Sequence, residues 1–207
     1  DEDILYKMFG VDAELLIDHA WGREPVTMKD IKNYRSQTNC LSSGQVLACD
    51  YSYDDCRLIV KEMMDLMCLD MVSKRLVTSS VTLHLSYTSR LGIEPAHGTV
   101  NIGDETNADV VLIPAITRLY EDIADPKYTI KRVGITCNNV VPEEYHQYSL
   151  FSDDREMERN RKVQEAVLSI KDRYGKNAIL KGMNLEEHGT TIERNSQIGG
   201  HRSGVET

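Results

Sequence analysis

Residues 80–87 read SVTLHLSY, in which Val81, Leu83, Leu85 and Tyr87 alternate with Ser80, Thr82, His84 and Ser86. Successive side chains of an extended chain point to opposite faces, so this spacing predicts a strand with one buried apolar face and one open polar face. Working outward, Gly98–Gly103 repeats the alternation, with Val100 and Ile102 inward. Thr129–Val140 does so again, placing Val133, Ile135 and Cys137 inward and Arg132, Gly134, Thr136 and Asn138 outward. Ser43–Leu47 fits a further short strand. Between the strands, Tyr53–Leu76 carries Ile59, Met63, Leu66, Met67 and Met71 at helical spacing, behind Ser52 or Asp54 as cap. This methionine stripe reads as core, not as a partner groove. Asn107 is expected to cap a second helix through Leu112, Ile116, Leu119 and Ile123, kinked at Pro114 where a backbone donor is missing. The order strand, helix, strand, strand, helix, strand predicts an α+β fold: a four-stranded antiparallel sheet in βαββαβ order with two helices on one face. The other face is left open.

The flanks are helical. Ile4, Leu5, Met8 and Phe9 share one helix face and Gly10 ends it; Asp12–Trp21 predicts a second helix with Leu15, Leu16, His19 and Ala20 inward and Gly22 as its stop. His19 reads as a core histidine. Arg35–Ser43 is polar and reads as a linker. Beyond the sheet, Arg155–Tyr174 has Val163, Val167, Ile170 and Tyr174 on one narrow face, with Glu158–Lys162 and Arg161–Glu165 spaced as ion pairs and Gly175 as the stop. That helix could dock on the sheet domain or pair with its own copy. From Gly182 onward the chain is polar and Gly-rich, and is expected to be a mobile, solvated tail in which Arg194, His201 and Arg202 could touch DNA.

Composition bounds the function. The 207 residues are 41% hydrophobic and 28% charged, an ordinary globular mix. No apolar run approaches the roughly 18 residues of a membrane span, and the acidic start Asp1, Glu2, Asp3 is unlike a signal peptide, so a cytoplasmic location with no membrane partner is expected. Cysteines 40, 49, 56, 68 and 137 form no C-x-x-C pair, and the six histidines include no H-E-x-x-H. Reduced thiols and no metal site follow; no glycine-rich phosphate loop is present either.

The net charge of −9 argues against a nucleic-acid partner until its distribution is considered. Residues 41–146 hold 15 acidic and 9 basic groups, yet none of those acids falls within the four predicted strands. The open face would therefore present hydroxyls, histidine, asparagine, glycine and arginine, on which a phosphate backbone could lie without repulsion. Water alone would also explain a polar face. Candidate DNA-binding residues on the strands are Thr82, His84, Ser86, Lys131, Arg132 and Thr136, with Lys74, Arg75, Arg90 and Lys127 at strand ends.

The segment Gln147-Tyr148-Ser149-Leu150-Phe151, followed by Ser152, Asp153 and Asp154, reads as a short peptide leaving the domain. Leu150 and Phe151 could each contribute roughly 1.5–3 kcal/mol in a partner's pocket, less the cost of ordering the peptide. They could equally cap the domain's own core.

Gln147–Phe151 resembles the bacterial sliding-clamp-binding pentapeptide, a glutamine followed three and four positions later by leucine and phenylalanine. FGVDAELLIDHAWG at 9–22, TNCLSSGQVL at 38–47, RLIVKEMMDL at 57–66 and ILKGMNLEEHGTTIERNSQIGGHRSG at 179–204 extend the likeness over nearly the whole chain. The chain is similar to the C-terminal part of bacterial Y-family translesion DNA polymerases, the UmuC and DinB-like group, especially its Gram-positive members. That resemblance implies that residues 1–38 end a helical thumb, 39–142 form the DNA-binding little finger, 143–154 the clamp-binding linker, and 155–207 a C-terminal helix and polar tail. It implies two partners, primer-template DNA and the sliding clamp, the latter through Gln147, Leu150 and Phe151. The family's Ser-x-Asp-Glu stretch, on the palm that holds its metal ions, has no match here, and Ser152–Asp154 reads as a helix cap. The chain is then expected to need no cofactor and to be inactive alone as part of a longer enzyme, with Mg2+ belonging to the palm. His188 stands where the pattern expects a small residue. The alternative is a non-catalytic adaptor that binds the clamp without touching DNA. A ligand-binding regulatory module ranks last, lacking a polar cluster to orient a small molecule.

Overall fold

The computed structural model describes residues 2–34, 39–88, 92–143 and 154–198, with the backbone of 201–202. It divides into two units, Asp1–Thr38 and Asn39–Thr207.

The first unit holds three short helices, α1 (Glu2–Phe9), α2 (Asp12–Ala20) and α3 (Met28–Asn33). Helix α3 escaped the periodicity reading because its signal is a cap: Thr27 Oγ1 accepts from the Asp30 amide, and the Asp30 carboxylate accepts from the Thr27 amide. Leu15, Leu16, His19 and Ala20, expected inward, are exposed, and Ala13 is the buried residue of this unit. Three short helices have too little surface to enclose a core. His19 is no core histidine; its Nε2 lies 2.8 Å from the Glu24 carboxylate.

In the second unit β1 (Leu41–Tyr51), α4 (Tyr53–Lys74), β2 (Leu76–Tyr87), β3 (Ala96–Thr106), α5 (Asp109–Ile123) and β4 (Ile130–Asn138) follow the expected order. The antiparallel sheet runs β1-β4-β2-β3, and a two-residue β5 (Val141–Pro142) pairs with the start of β2 as a fifth strand. Strands β1 and β3 outlast their alternating stretches by way of register shifts between Val46 and Tyr51 and opposite Thr78–Ser80. A shift of this kind lets a strand continue past a break in pattern. Asp50, Asp104 and Glu105 therefore do fall inside strands, which corrects the expectation that no acid would.

Helices α4 and α5 cover the inward face. Val81, Leu83, Leu85, Ile130, Val133 and Ile135 from the sheet meet Ile59, Met63, Met67, Leu112, Ile116 and Tyr120, all buried. Tyr120 satisfies its hydroxyl by donating to the Tyr53 carbonyl at 2.7 Å. Gly98 allows α5 to lie this close: a Cβ there would sit 2.9 Å from Leu119 Cδ1 and 3.0 Å from Ile123 Cγ2. Burial pushes the Cys56 and Cys137 thiols up to about 12, so both stay neutral. Ser52 caps α4, its Oγ accepting from the Asp55 amide. Asn107 does not cap α5, whose N-cap is Ala108. The Asn107 side chain is buried instead, donating to the Leu76 carbonyl and accepting from Arg161.

Helix α4 is buried on its far side as well, because the chain after the sheet folds back over it. Helix α6 (Asp154–Tyr174) packs there through a face that keeps only part of the expected apolar stripe: Val167 and Ile170 are half-buried, but Val163 and Tyr174 are exposed, whereas Gln164 is buried. Polar pairing decides its rotation. Asn160 donates to Asp109 at 2.6 Å, and Arg161 grips both oxygens of Glu143 at 3.1 and 2.8 Å. The expected Glu158–Lys162 and Arg161–Glu165 pairs are present at 2.7 and 2.9 Å.

Residues 182–198, expected to be a mobile tail, are folded. A 3-10 turn (Gly182–Leu185), α7 (Thr191–Asn195) and the hairpin strands β6 (Gln197–Ile198) and β7 (His201–Arg202) follow α6. Asn184 and Thr191 are buried. The cause lies on α4, where Glu62 is 1% exposed and accepts from Asn184 Nδ2 at 2.9 Å and the Thr190 amide at 2.7 Å. One turn on, Lys181 reaches between Asp65, at 2.5 Å, and Asp109. Buried carboxylates demand donors, and this stretch supplies them.

Candidate nucleic-acid interface

The strand registers set the uncovered face of the sheet out in rows. Asn138, Ser80 and Asn101 form one. Ser42, Thr136, Thr82 and Thr99 form the next. Gly44, Gly134, His84 and His97 follow, and then Val46, Arg132 and Ser86. No Asp or Glu occurs in any row. The carboxylates of β1 and β3 sit in the shifted stretches beyond them: Asp50 between Val46 and Tyr51, Asp104 and Glu105 between Asn101 and Thr106.

Within the rows the small polar side chains bond to one another. Ser42 Oγ and Thr136 Oγ1 are 2.9 Å apart, Thr82 Oγ1 and Thr99 Oγ1 2.8 Å, and Asn138 Nδ2 donates to Ser80 Oγ and Thr82 Oγ1 at 3.1 and 2.9 Å. Each hydroxyl has one proton and two acceptor sites, so this lattice fixes orientations and leaves acceptor and donor capacity facing outward. His84 and His97 are exposed and stack at 5.1 Å between ring centroids with planes 12° apart. Arg132 is exposed and forms no ion pair among the described residues. Val46 is 66% exposed, an apolar spot beside it.

Thr82, His84, Ser86, Arg132 and Thr136 thus come together on one face. Lys131 lies outside the rows, its Nζ 3.3 Å from the Ala48 carbonyl and 3.9 Å from Asp50, which offsets its charge. Lys74 ends α4 in an ion pair with Asp70 at 2.7 Å, and Arg75 is the left-handed cap of the same helix, so both belong to the helix layer. Lys127 is exposed in the turn before β4. Arg194 corrects the solvated-tail expectation: half-buried, it donates to Gln45 on the covered side of β1, where Gln45 pairs with inward Val133. Arg90, Gln147, Leu150 and Phe151 lie outside the described residues, as do the side chains of His201 and Arg202. The candidate list missed His97, Thr99 and Asn101. Their own alternation marks a strand, but nothing in it fixes which of them stands opposite His84.

Among the described residues, no group of three or more His, Cys, Asp or Glu side chains is placed to hold a metal ion. Nor is any described helix long and apolar enough to cross a membrane.

An antiparallel sheet in βαββαβ order, backed by helices on one face and open on the other, where the paired rows hold no carboxylate, defines an α+β domain. Residues 41–150 match the impB/mucB/samB family C-terminal domain, and the chain belongs to that family. The Y-family likeness read from the sequence is thereby borne out. Over 203 residues the chain is 24% identical to UvrX of Bacillus subtilis (strain 168), whose name proposes a part in UV-damage repair, covering 97% of this chain and 47% of that protein. It is 26% identical over 197 residues to DNA polymerase IV of Pelotomaculum thermopropionicum, covering 94% and 46%. The chain therefore spans about half the length of these relatives. Among solved structures, the little finger domain of PolIV in complex with the beta-clamp processivity factor aligns at 13% identity with a TM-score of 0.38, covering 55% of this chain and 99% of that one.

Proposed function

We propose that the second unit binds duplex DNA through the open sheet face, independently of sequence, as the C-terminal region of an error-prone translesion polymerase. Its part is to hold the template-primer in register. Metal-assisted nucleotidyl transfer, with its Mg2+, belongs to the palm of the full-length enzyme. One observation carries this reading: the rows of the open face hold an arginine, two imidazoles and a hydroxyl lattice, with no carboxylate, in a chain of net charge −9. Arg132 is the residue assigned to direct phosphate contact, with Thr82, His84, Ser86 and Thr136 as neutral hydrogen-bonding partners. Lys131, whose charge Asp50 offsets, and Lys74 and Arg75, which belong to the helix layer, are not assigned to the contact, and Arg90 rests on the sequence alone.

Backbone contact carries no base information and releases counterions. Two duplexes of unrelated sequence should therefore bind with equal affinity, and log Kd should rise linearly with log salt at a slope of about 0.9 per phosphate neutralised. Affinity that tracks sequence, or ignores salt, would count against the sheet face.

The second half of the proposal is docking to the bacterial sliding clamp by Gln147, Leu150 and Phe151, the segment on which the motif falls. Deleting Leu150 and Phe151 should abolish clamp binding in a pull-down with purified clamp while leaving DNA affinity unchanged. Persistent clamp binding removes the motif from the argument; clamp binding with no DNA binding returns the adaptor.

A further inference from the structure

We infer that the outer edge of β3 is an interface between two copies of this chain, in which Ala96–Ile102 of one copy pairs antiparallel with Ala96–Ile102 of the other about a two-fold axis at Thr99. This concerns association of the chain with itself and stands whether or not the sheet face binds DNA.

A strand at the end of a sheet leaves one row of amides and carbonyls unpaired, and natural sheets blunt such a row with lysine, proline, a bulge or a covering element. Strand β3 ends the order β1-β4-β2-β3, and among the described residues it pairs with β2 alone. Ala96–Asn101 is held in unbroken register by β2, and Ile102 continues the alternation, packing against the core. From Ala96 to Ile102 there is no proline and no Lys, Arg, Asp or Glu. The guards stand just outside: Pro95 before, and after it Gly103, at a φ of +89°, then Asp104 and Glu105. The opposite edge is different. Strand β1 loses its register beyond Val46, and its Gln45 accepts from Thr190 and Arg194 of the folded tail.

The side chains of the edge say what covers it. Ala96, Gly98, Val100 and Ile102 face the helix side, and His97, Thr99 and Asn101 the open face. On the helix side β3 and α5 leave a groove of about 450 Å3, lined by Val100, Ile102, Val111 and Ala115 with Arg118 and Asp122. In a two-fold contact residue i meets j and j meets i. An axis at Thr99 sets Ala96 against Ile102 and Gly98 against Val100, so every inward pair joins a small residue to a bulky one and the bulky ones share the groove. Residues opposed across a strand pair must share a face, so the axis can move only by two-fold positions on a residue. At Val100 it would draw in Gly103 and Asp104, and at Gly98 Pro95 and Glu94; Thr99 alone confines the pairing to Ala96–Ile102. On the open face His97 then meets Asn101 and Thr99 meets Thr99, so no like formal charges are opposed despite a net charge of −9 on each chain. Arg118 and Asp122 give the groove both signs, which makes two identical rims compatible. The joined sheet runs β1-β4-β2-β3-β3-β2-β4-β1, with both open faces on one side.

The test places Thr99→Cys in a full chain that also carries Cys40→Ser and Cys49→Ser, which remove the two exposed thiols; Cys56, Cys68 and Cys137 are buried. Opposed residues of an antiparallel pair lie about 4.5–5.5 Å apart at Cα, within reach of a disulfide. Oxidised glutathione should therefore convert Thr99→Cys to a covalent dimer on a non-reducing gel. Asn101→Cys in the same background should stay a monomer, because the two copies of that position stand roughly 13 Å apart along the paired strands. In sedimentation equilibrium the parent should climb from the mass of one chain towards two between about 10 µM and about 1 mM, the range of a small interface. Val100→Lys, which sets an ammonium in the groove, should remain at one. Equal cross-linking of the two cysteine variants overturns the interface, as does a parent that keeps the mass of one chain throughout or a folded Val100→Lys that associates like the parent. If Val100→Lys does not fold, the cysteine pair decides.

Discussion

Replacing Lys181 with methionine should lower the unfolding free energy of the second unit by about 3 kcal/mol near neutral pH, the low end of what breaking a buried ion pair costs. The low end applies because the Lys181 side chain is itself 45% exposed. Its partners are not: Asp65 and Asp109 keep 9% and 11% of their side-chain exposure. Burial pushes Asp109 up, but its hydrogen bonds to Lys181 and Asn160, together with the Lys181 charge and the Val110 amide, outweigh that and hold it below the ordinary carboxylate range. Burial also pushes Asp65 up, and there Lys181 only partly compensates, so it stays raised. The signs then oppose each other. Asp109 contributes stability present above the ordinary value of 3.8 and lost as pH falls through its depressed one. Asp65 contributes stability present below 3.8 and lost as pH rises through its raised one. Without the lysine neither buried carboxylate keeps a cation in contact, Lys171 acting on Asp65 only from further off, and protonation relieves both. Urea unfolding followed by circular dichroism should show the deficit at pH 7 shrinking toward about pH 4. A deficit equal at both pH values would mean that lost packing, not charge, is responsible.

Arg132→Glu should weaken duplex DNA binding about 10- to 100-fold at low salt, equivalent to about 1.4–2.7 kcal/mol. The change removes the sole formal cation of the rows and places a carboxylate against phosphate. The side chain is exposed and touches no described ion-pair partner, so folding should be unaffected, and an unchanged urea midpoint would verify this. The slope of log Kd against log salt should fall by about 0.9. Arg132→Gln should produce the same slope change with a smaller loss, since it deletes the cation without adding repulsion. If both variants bind as the parent does, phosphate is contacted elsewhere.

Most of the sheet was legible because alternation is a short-range signal: Val81, Leu83 and Leu85 needed no neighbour to declare which way they point. The outward set Thr82, His84, Arg132 and Thr136 followed from the same rule. What the pattern hid came from long-range pairing. The partnership of His84 with His97 depends on the β2–β3 register, which the chain between Thr88 and Ala96 does not reveal. The extensions of β1 and β3 through register shifts, with Asp50, Asp104 and Glu105 inside them, break the very periodicity used to find strands. The folded stretch after Gly182 was misread because it is polar. Its anchor is not an apolar stripe but Glu62, a carboxylate on a helix already assigned to the core, and no local property of residues 182–195 announces that.

That anchoring bears on where the chain can be cut. The family match ends at residue 150, and a protein trimmed there would strip Glu62 of Asn184 and Thr190, and Asp65 and Asp109 of Lys181. Three acids would be bared, Glu62 and Asp65 along the greasy α4 and Asp109 at the start of α5. The smallest piece that stands up unaided thus reaches well past the family boundary, and excision at that boundary should yield an aggregating fragment.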